Sequence, residues 1–217
     1  MTDQDTAEPT EKPARGRPRA FDRDAALHKA METFWALGFE GASMAELTRA
    51  MGIGSPSLYA AFGSKDELFR EACRLYERKS SGEMISAIEE ALTAREGVEA
   101  YLMLTAGALS APGHPPGCMI VLTAVNAYGA CDAARNELKA RRGAVVAMLE
   151  RRIAKGVVAG ELPEGLDIAA IAAFYVTVQQ GMSIQAVDGA SSETLRRVAE
   201  GAMAAWDGLT RATMTPG

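Results

Sequence analysis

The sequence predicts an all-α protein with a small N-terminal helix-turn-helix domain followed by a larger helical body. Three observations carry this. Apolar residues recur at helical spacing over most of the 217 residues, aromatic content is only 6%, and no alternating run long enough for a strand appears. Helix-start signals of the Ser/Thr-x-x-Glu type recur along the chain. Between Gly52 and Phe69, a very short helix is bracketed by two glycine breaks.

Taken in order, residues 1–20 are rich in Pro, Thr and charge and read as a disordered basic arm. Asp22 caps a first helix through Leu27, Ala30, Met31, Phe34 and Leu37, which Gly38 stops. Ser43 and Glu46 make a capping-box pattern for a second helix ending near Met51. Gly52-Ile53-Gly54 is a turn, with Ser55 as N-cap and Pro56 at the first position of a third helix that ends near Phe62. Ser64 and Glu67 open a fourth, to about Arg78. Amphipathic helices follow at 82–94 and 97–110, then a loop at Ala111–Gly117 whose prolines and glycines exclude a helix. An apolar helix spans 118–128, and a long one runs from Asp132 to Gly160. Asp167 caps the apolar helix 168–187, and the Ser191/Ser192 pair opens a last helix to about Leu209.

The net charge of −5 argues against a protein basic all over. The charge is uneven, however. Arg15, Arg17 and Arg19 cluster without acid, and phosphate contacts act within about a Debye length, roughly 8–10 Å. The cluster reads either as an arm in the minor groove or as a solvated charge run. Three cysteines at scattered spacing argue against a disulfide framework and for a reducing, cytoplasmic setting. The N-terminus lacks the apolar core of a secretory signal, and the apolar stretch 168–186 is interrupted by polar residues, so no membrane association is expected. No metal-ligand cluster, phosphate-binding glycine loop or nucleophile motif is present in the sequence, so neither enzyme activity nor a cofactor is expected.

Two short helices across a glycine turn form the helix-turn-helix pattern, although spacing alone also fits a plain helical corner. The residue types suit DNA. Leu58 and Phe62 can anchor inward. Ser55, Ser57, Ala60 and Ala61 are small enough for deep groove insertion. Tyr59 offers a hydroxyl, and Lys65 a charge at a helix N-terminus, to phosphate.

Residues 21–69 resemble the DNA-binding domain of the tetracycline-repressor (TetR/AcrR) family. The matching segments are AMETFWALGFEGASMAEL, TRAMGIGSPSLYAAF and GSKDELF, in the family's order and spacing. The resemblance implies an all-helical homodimer that binds double-stranded operator DNA as a transcriptional regulator, usually a repressor, released by a small-molecule effector. It divides the chain into an arm (1–20), a helix-turn-helix domain (21–66) and a ligand-binding and dimerisation domain (67–217). Carried over, Ser43 would contact phosphate, Ser55, Pro56, Ser57, Ala60 and Ala61 would face the groove, and Tyr59 and Lys65 would hold the backbone. Gly54 departs from the family's frequent Ser, which assigns the capping to Ser55. Ala60 and Ala61 replace larger polar residues, which points to thymine-methyl contacts and DNA shape over base hydrogen bonds.

The resemblance continues weakly past residue 80. Helices 132–160 and 168–187 are the candidates for the dimer interface. Tyr101, Leu104, Cys118, Met119, Leu122, Asn126, Phe174, Tyr175, Gln179 and Met182 are the candidate effector contacts, though each also suits ordinary core packing. Cys118, with His114 nearby, leaves open a redox- or metal-sensing regulator, and a constitutive architectural DNA binder with a sealed body is a further alternative.

Overall fold

A computed structural model describes residues 21–125 and 132–211. They form eleven helices and, among the described residues, no strand: α1 (Arg23–Gly41), α2 (Met44–Met51), α3 (Ser55–Phe62), α4 (Lys65–Ser80), α5 (Gly82–Glu90), α6 (Ala94–Leu109), α7 (Met119–Val125), α8 (Asp132–Val158), α9 (Ile168–Val187), α10 (Ser192–Met203) and α11 (Trp206–Leu209). The basic arm with Arg15, Arg17 and Arg19, and also Asn126, lie outside the described residues.

Local signals set most boundaries. Asp22 accepts from the backbone N–H of Asp24 and Ala25. The α1 backbone breaks at Gly38, whose φ of 71° and ψ of 175° suit glycine alone. The Ser64–Glu67 capping box closes in both directions. Ser43 makes only half of its box: its hydroxyl accepts from the N–H of Glu46, while the Glu46 carboxylate pairs with Arg49.

Four expectations need correction. Leu37 points to solvent, and Trp35 takes the buried position instead. Gly54, not Ser55, is the N-cap of α3, and no side chain caps that helix, so Pro56 falls within its first turn. The sixth helix starts at Ala94 rather than Gly97, because Thr93 and Glu96 form a complete capping box. The last helix breaks after Met203, and a separate short turn of helix follows from Trp206.

The side chains pack into two cores. The first joins α1–α4 through Leu27, Phe34, Leu47, Leu58, Phe62, Leu68 and Phe69, and takes in Met119 and Ile120 of α7 and Leu138 of α8. Phe69 meets both Phe34 and Phe39 in a T-shaped arrangement, with ring centres 5.1 Å apart in each pair. The second core joins α5, α6 and α8–α11 around Leu102, Leu149, Ile153, Tyr175, Leu195 and Trp206. Helix α9 contributes Ile171, Ala172, Tyr175, Val176, Met182 and Ala186 to it. The two cores meet along α7 and α8, and Cys118 touches both.

Candidate nucleic-acid interface and body cavity

Helix α3 is two turns long and carries no charge. Leu58 and Phe62 anchor it in the first core at 0% and 3% exposure. The opposite face presents Ser55, Pro56, Ser57, Tyr59 and Ala60 to solvent, with Ala61 half-buried beside the core. A face of small side chains bounded by one tyrosine can approach a groove floor closely. Tyr59 is 51% exposed, although aromatic, so its ring covers no core. Ser43 is exposed at the start of α2, where N–H groups and dipole favour an anion.

The helix is braced from behind by Arg23. Its guanidinium donates to the Ala61 carbonyl at 3.2 Å, pairs with both Glu71 oxygens at 2.8 and 2.9 Å, and lies 4.3 Å over the Phe62 ring. Arg23 thus closes the C-terminal end of α3 and ties it to α1 and α4. Sequence reasoning missed this residue, since its partners lie 38 and 48 positions away.

Gly63 makes the turn into α4, with φ of 74°. A Cβ there would stand 2.0 Å from the Glu67 carboxylate, which folds back to accept from the Ser64 N–H. Lys65 is half-buried, and its ammonium lies 4.6 Å from the Phe39 ring centre. Burial lowers its pKa, while the Glu40 and Asp66 carboxylates oppose that shift. Lys65 must therefore leave an aromatic face to reach a phosphate.

The body contains a cavity of about 520 Å³ whose walls come from both halves of the chain. Met31 and Trp35 of α1 and Tyr76 and Ser80 of α4 form one side. Met84, Tyr101, Leu104 and Thr105 of α5 and α6 form another, and Arg141, Arg142, Val145, Val176 and Gln179 close it. Of the ten candidate effector contacts, Tyr101, Leu104, Cys118 and Gln179 line this space. Met119 is buried in the first core, with Leu122 packed against it; Tyr175 and Met182 belong to the second core, and Phe174 is 37% exposed on the outside of α9. Helix α9 is apolar nearly all round, so its pattern does not tell which of Phe174, Tyr175, Gln179 and Met182 faces the cavity.

Trp35 connects the two halves. Its indole N–H donates to the Gly117 carbonyl at 3.1 Å, its face stacks on His114 at 4.6 Å, and it meets Tyr76 edge to face at 4.9 Å. The loop Ala111–Gly117 is therefore fastened to a helix of the DNA-binding half. The Cys118 backbone N–H donates to Ser183 Oγ at 2.6 Å. Burial, then the neighbouring Cys118, pushes the Tyr76 hydroxyl well above the usual phenol range. His114 Nδ1 lies 2.8 Å from the Pro115 carbonyl, which fixes that nitrogen as the protonated donor. Among the described residues no cluster of three His, Cys, Asp or Glu side chains could hold a metal ion. No helix among them is long and apolar enough to cross a membrane.

This arrangement has close parallels. A family model described as bacterial regulatory proteins, tetR family, matches residues 26–72, and one described as tetracyclin repressor-like, C-terminal domain, matches residues 94–202. The chain is 33% identical to the HTH-type transcriptional repressor ComR of Escherichia coli (strain K12), over 92% of this chain and 96% of that one. It is 31% identical to the HTH-type transcriptional repressor BdcR of the same organism, over 83% and 86%. Among solved structures, a cysteine mutant of the TetR family transcriptional regulator CifR, complexed with 26-bp double-strand operator DNA, superposes with a TM-score of 0.83. It is 43% identical and covers 88% of this chain and 100% of its own.

Proposed function

The chain belongs to the tetR family of bacterial regulatory proteins, and from that premise we propose a ligand-controlled transcriptional repressor that binds a palindromic operator as a homodimer in the cytoplasm. The observation that carries this reading is the cavity's shared wall. Trp35 and Tyr76, which brace α1 and α4 beneath the reading helix, also line the space where a small molecule would sit. The effector works only by favouring a form in which the two reading helices are wrongly spaced for DNA.

At the operator, Ser55, Pro56, Ser57, Ala60 and Ala61 face the groove, while Ser43, Tyr59 and Lys65 hold phosphate. Arg15, Arg17 and Arg19 add contacts from the arm. Two copies set the reading helices about one DNA turn apart, roughly 34–36 Å. The relatives named as repressors, and the CifR complex with operator DNA, support the assignment. The cavity argues against a constitutive binder with a sealed body.

The test uses an inverted repeat from the DNA beside the gene, with binding followed by fluorescence anisotropy. The full chain should prefer it over random duplex by about a thousandfold or more. Tyr59→Phe should weaken both complexes alike, and replacing the three arm arginines with Ala should flatten the slope of log K against log salt. Equal affinity for both duplexes would sink the reading.

A further inference from the structure

The cavity's lining joins apolar and aromatic walls to charged side chains. Arg142 of α8 lines it, and its Nη1 is buried without a hydrogen-bond partner. No ion pair to Arg142 is found among the described residues, whereas the adjacent Arg141 is held by Glu77 and Glu137. Two further buried atoms on the cavity's residues lack partners, the hydroxyl of Tyr101 and Nε of Arg141. All three carry a hydrogen to give. Of the carboxylates that line the cavity, Glu77 is held by Arg141 and Glu32 by Lys29, and Glu83 of α5 makes no ion pair to Arg142.

Arg142 is half-buried, and a buried donor without an acceptor is costly. Unmet donors in a chamber with apolar and aromatic walls are what a matched ligand corrects. Trp35, Tyr76, Leu104, Val145 and Val176 supply walls for a flat or branched apolar body. Aromatic walls alone would also suit a cation, but the unpaired Arg142 opposes one.

We infer that the effector is an apolar carboxylate, its head on Arg142 and its body against Trp35 and Tyr76. This rests on the cavity being the sensory site. Arg142 is without an ion-pair partner and has a buried donor to give, and a planar guanidinium fits a carboxylate in two-point contact.

The test compares three probes that share one body, 4-phenylbutanoate, 4-phenylbutan-1-ol and 4-phenylbutylamine, titrated calorimetrically into the full-length protein. The carboxylate should bind about ten- to a hundredfold more tightly than the other two. Arg142→Gln should bring the carboxylate down to the level of the alcohol and leave the alcohol unchanged, which shows that the variant keeps its fold. Arg142→Lys should retain part of the preference. Equal or tighter binding of the alcohol or amine would overturn the carboxylate assignment while leaving a sensory cavity in place. Binding of none of the three, or a carboxylate preference that survives Arg142→Gln, would overturn it as well. Sensing itself fails on a different result: a probe that fills the cavity yet leaves operator affinity unchanged.

Discussion

Arg23 shows how much of a DNA-reading helix can rest on one residue outside it. The helix α3 has no side-chain cap at its start, and its end is closed by a guanidinium from α1. Arg23→Ala should cost about 1 kcal/mol of stability, since the Glu71 pair is partly exposed and only the cation–ring contact and the helix-end bond add to it. Its effect on DNA should be unequal. Affinity for the operator should fall several-fold more than affinity for random duplex, because the helix loses its orientation and not its phosphate contacts. Paired anisotropy titrations would decide, and an equal loss on both would show that Arg23 only contributes stability. Cys73 carries a second prediction at this scale. It is fully buried, and that burial pushes its thiol from 9.0 up to about 12, with Arg141 opposing and Glu77 and Glu137 adding. The folded value lies above the unfolded one. The thiol's contribution is therefore complete below about pH 9 and is lost as pH climbs towards 12, a few kcal/mol at most. The stability gap between wild type and Cys73→Ala, measured by urea unfolding, should narrow over that range. A gap that stays constant would mean that Cys73 ionises freely in the folded protein.

At the scale of elements, helix starts were legible because they are local. Asp22, Ser43, Ser64, Asp167 and Ser191 all bond to backbone N–H groups within the first turn, as their spacing implies. The start of α6 was misread because Gly97 looks like a break. It lies inside the helix because Arg152 crosses it: a Cβ there would stand 3.0 Å from Arg152 Cγ and 3.2 Å from the Ile88 carbonyl. That approach is a tertiary fact and leaves no local trace. The loop Ala111–Gly117 is the opposite case. Its prolines and glycines announce a loop, but not that it is clamped between Trp35 and α9. Gly117 has φ of 80°, and a Cβ would stand 2.6 Å from Leu122 Cδ1 and 2.8 Å from the Ser183 carbonyl. Gly117→Ala should therefore destabilise the protein by about 2–4 kcal/mol, through backbone strain and overpacking together. The Gly117 carbonyl should also move off the Trp35 indole, which makes tryptophan emission a second readout. A substitution that leaves both the melting temperature and the emission unchanged would mean that the loop is not held here.

For the whole molecule, the sequence could indicate that α9 needs partners on more than one face but not where they lie. One face of α9 is spent on the second core. The other presents Ala170, Ala173, Phe174, Thr177, Gly181 and Ile184 to solvent at intervals of one turn, and Val198 of α10 is 42% exposed. Helix α8, the other interface candidate from the sequence, exposes Ala140, Gly143, Ala144 and Val158 together with Arg135, Asn136, Lys139, Arg151 and Lys155. A stripe of small residues flanked by bulky apolar ones suits close helix–helix approach, and in a family of dimers the fitting occupant is the same stripe of a second copy. The cavity is lined by α1, α4, α5, α6 and α8 and, on α9, by Val176, Gln179 and Gln180 but not by Ile184, so dimerisation and effector binding can be separated by mutation at Ile184. Ile184→Glu places a charge at the C-terminal end of the stripe, at a residue already 46% exposed, so the fold of each chain should survive with its helical circular dichroism intact. Sedimentation velocity should then show a monomer of about half the wild-type mass. Operator affinity should drop by about a hundredfold or more, since the second reading helix no longer shares one complex with the first. Binding to random duplex should fall much less. A variant that stays dimeric at the same concentration would place the interface elsewhere, because a buried unpaired carboxylate at a two-fold contact occurs twice and has no compensating cation on α9.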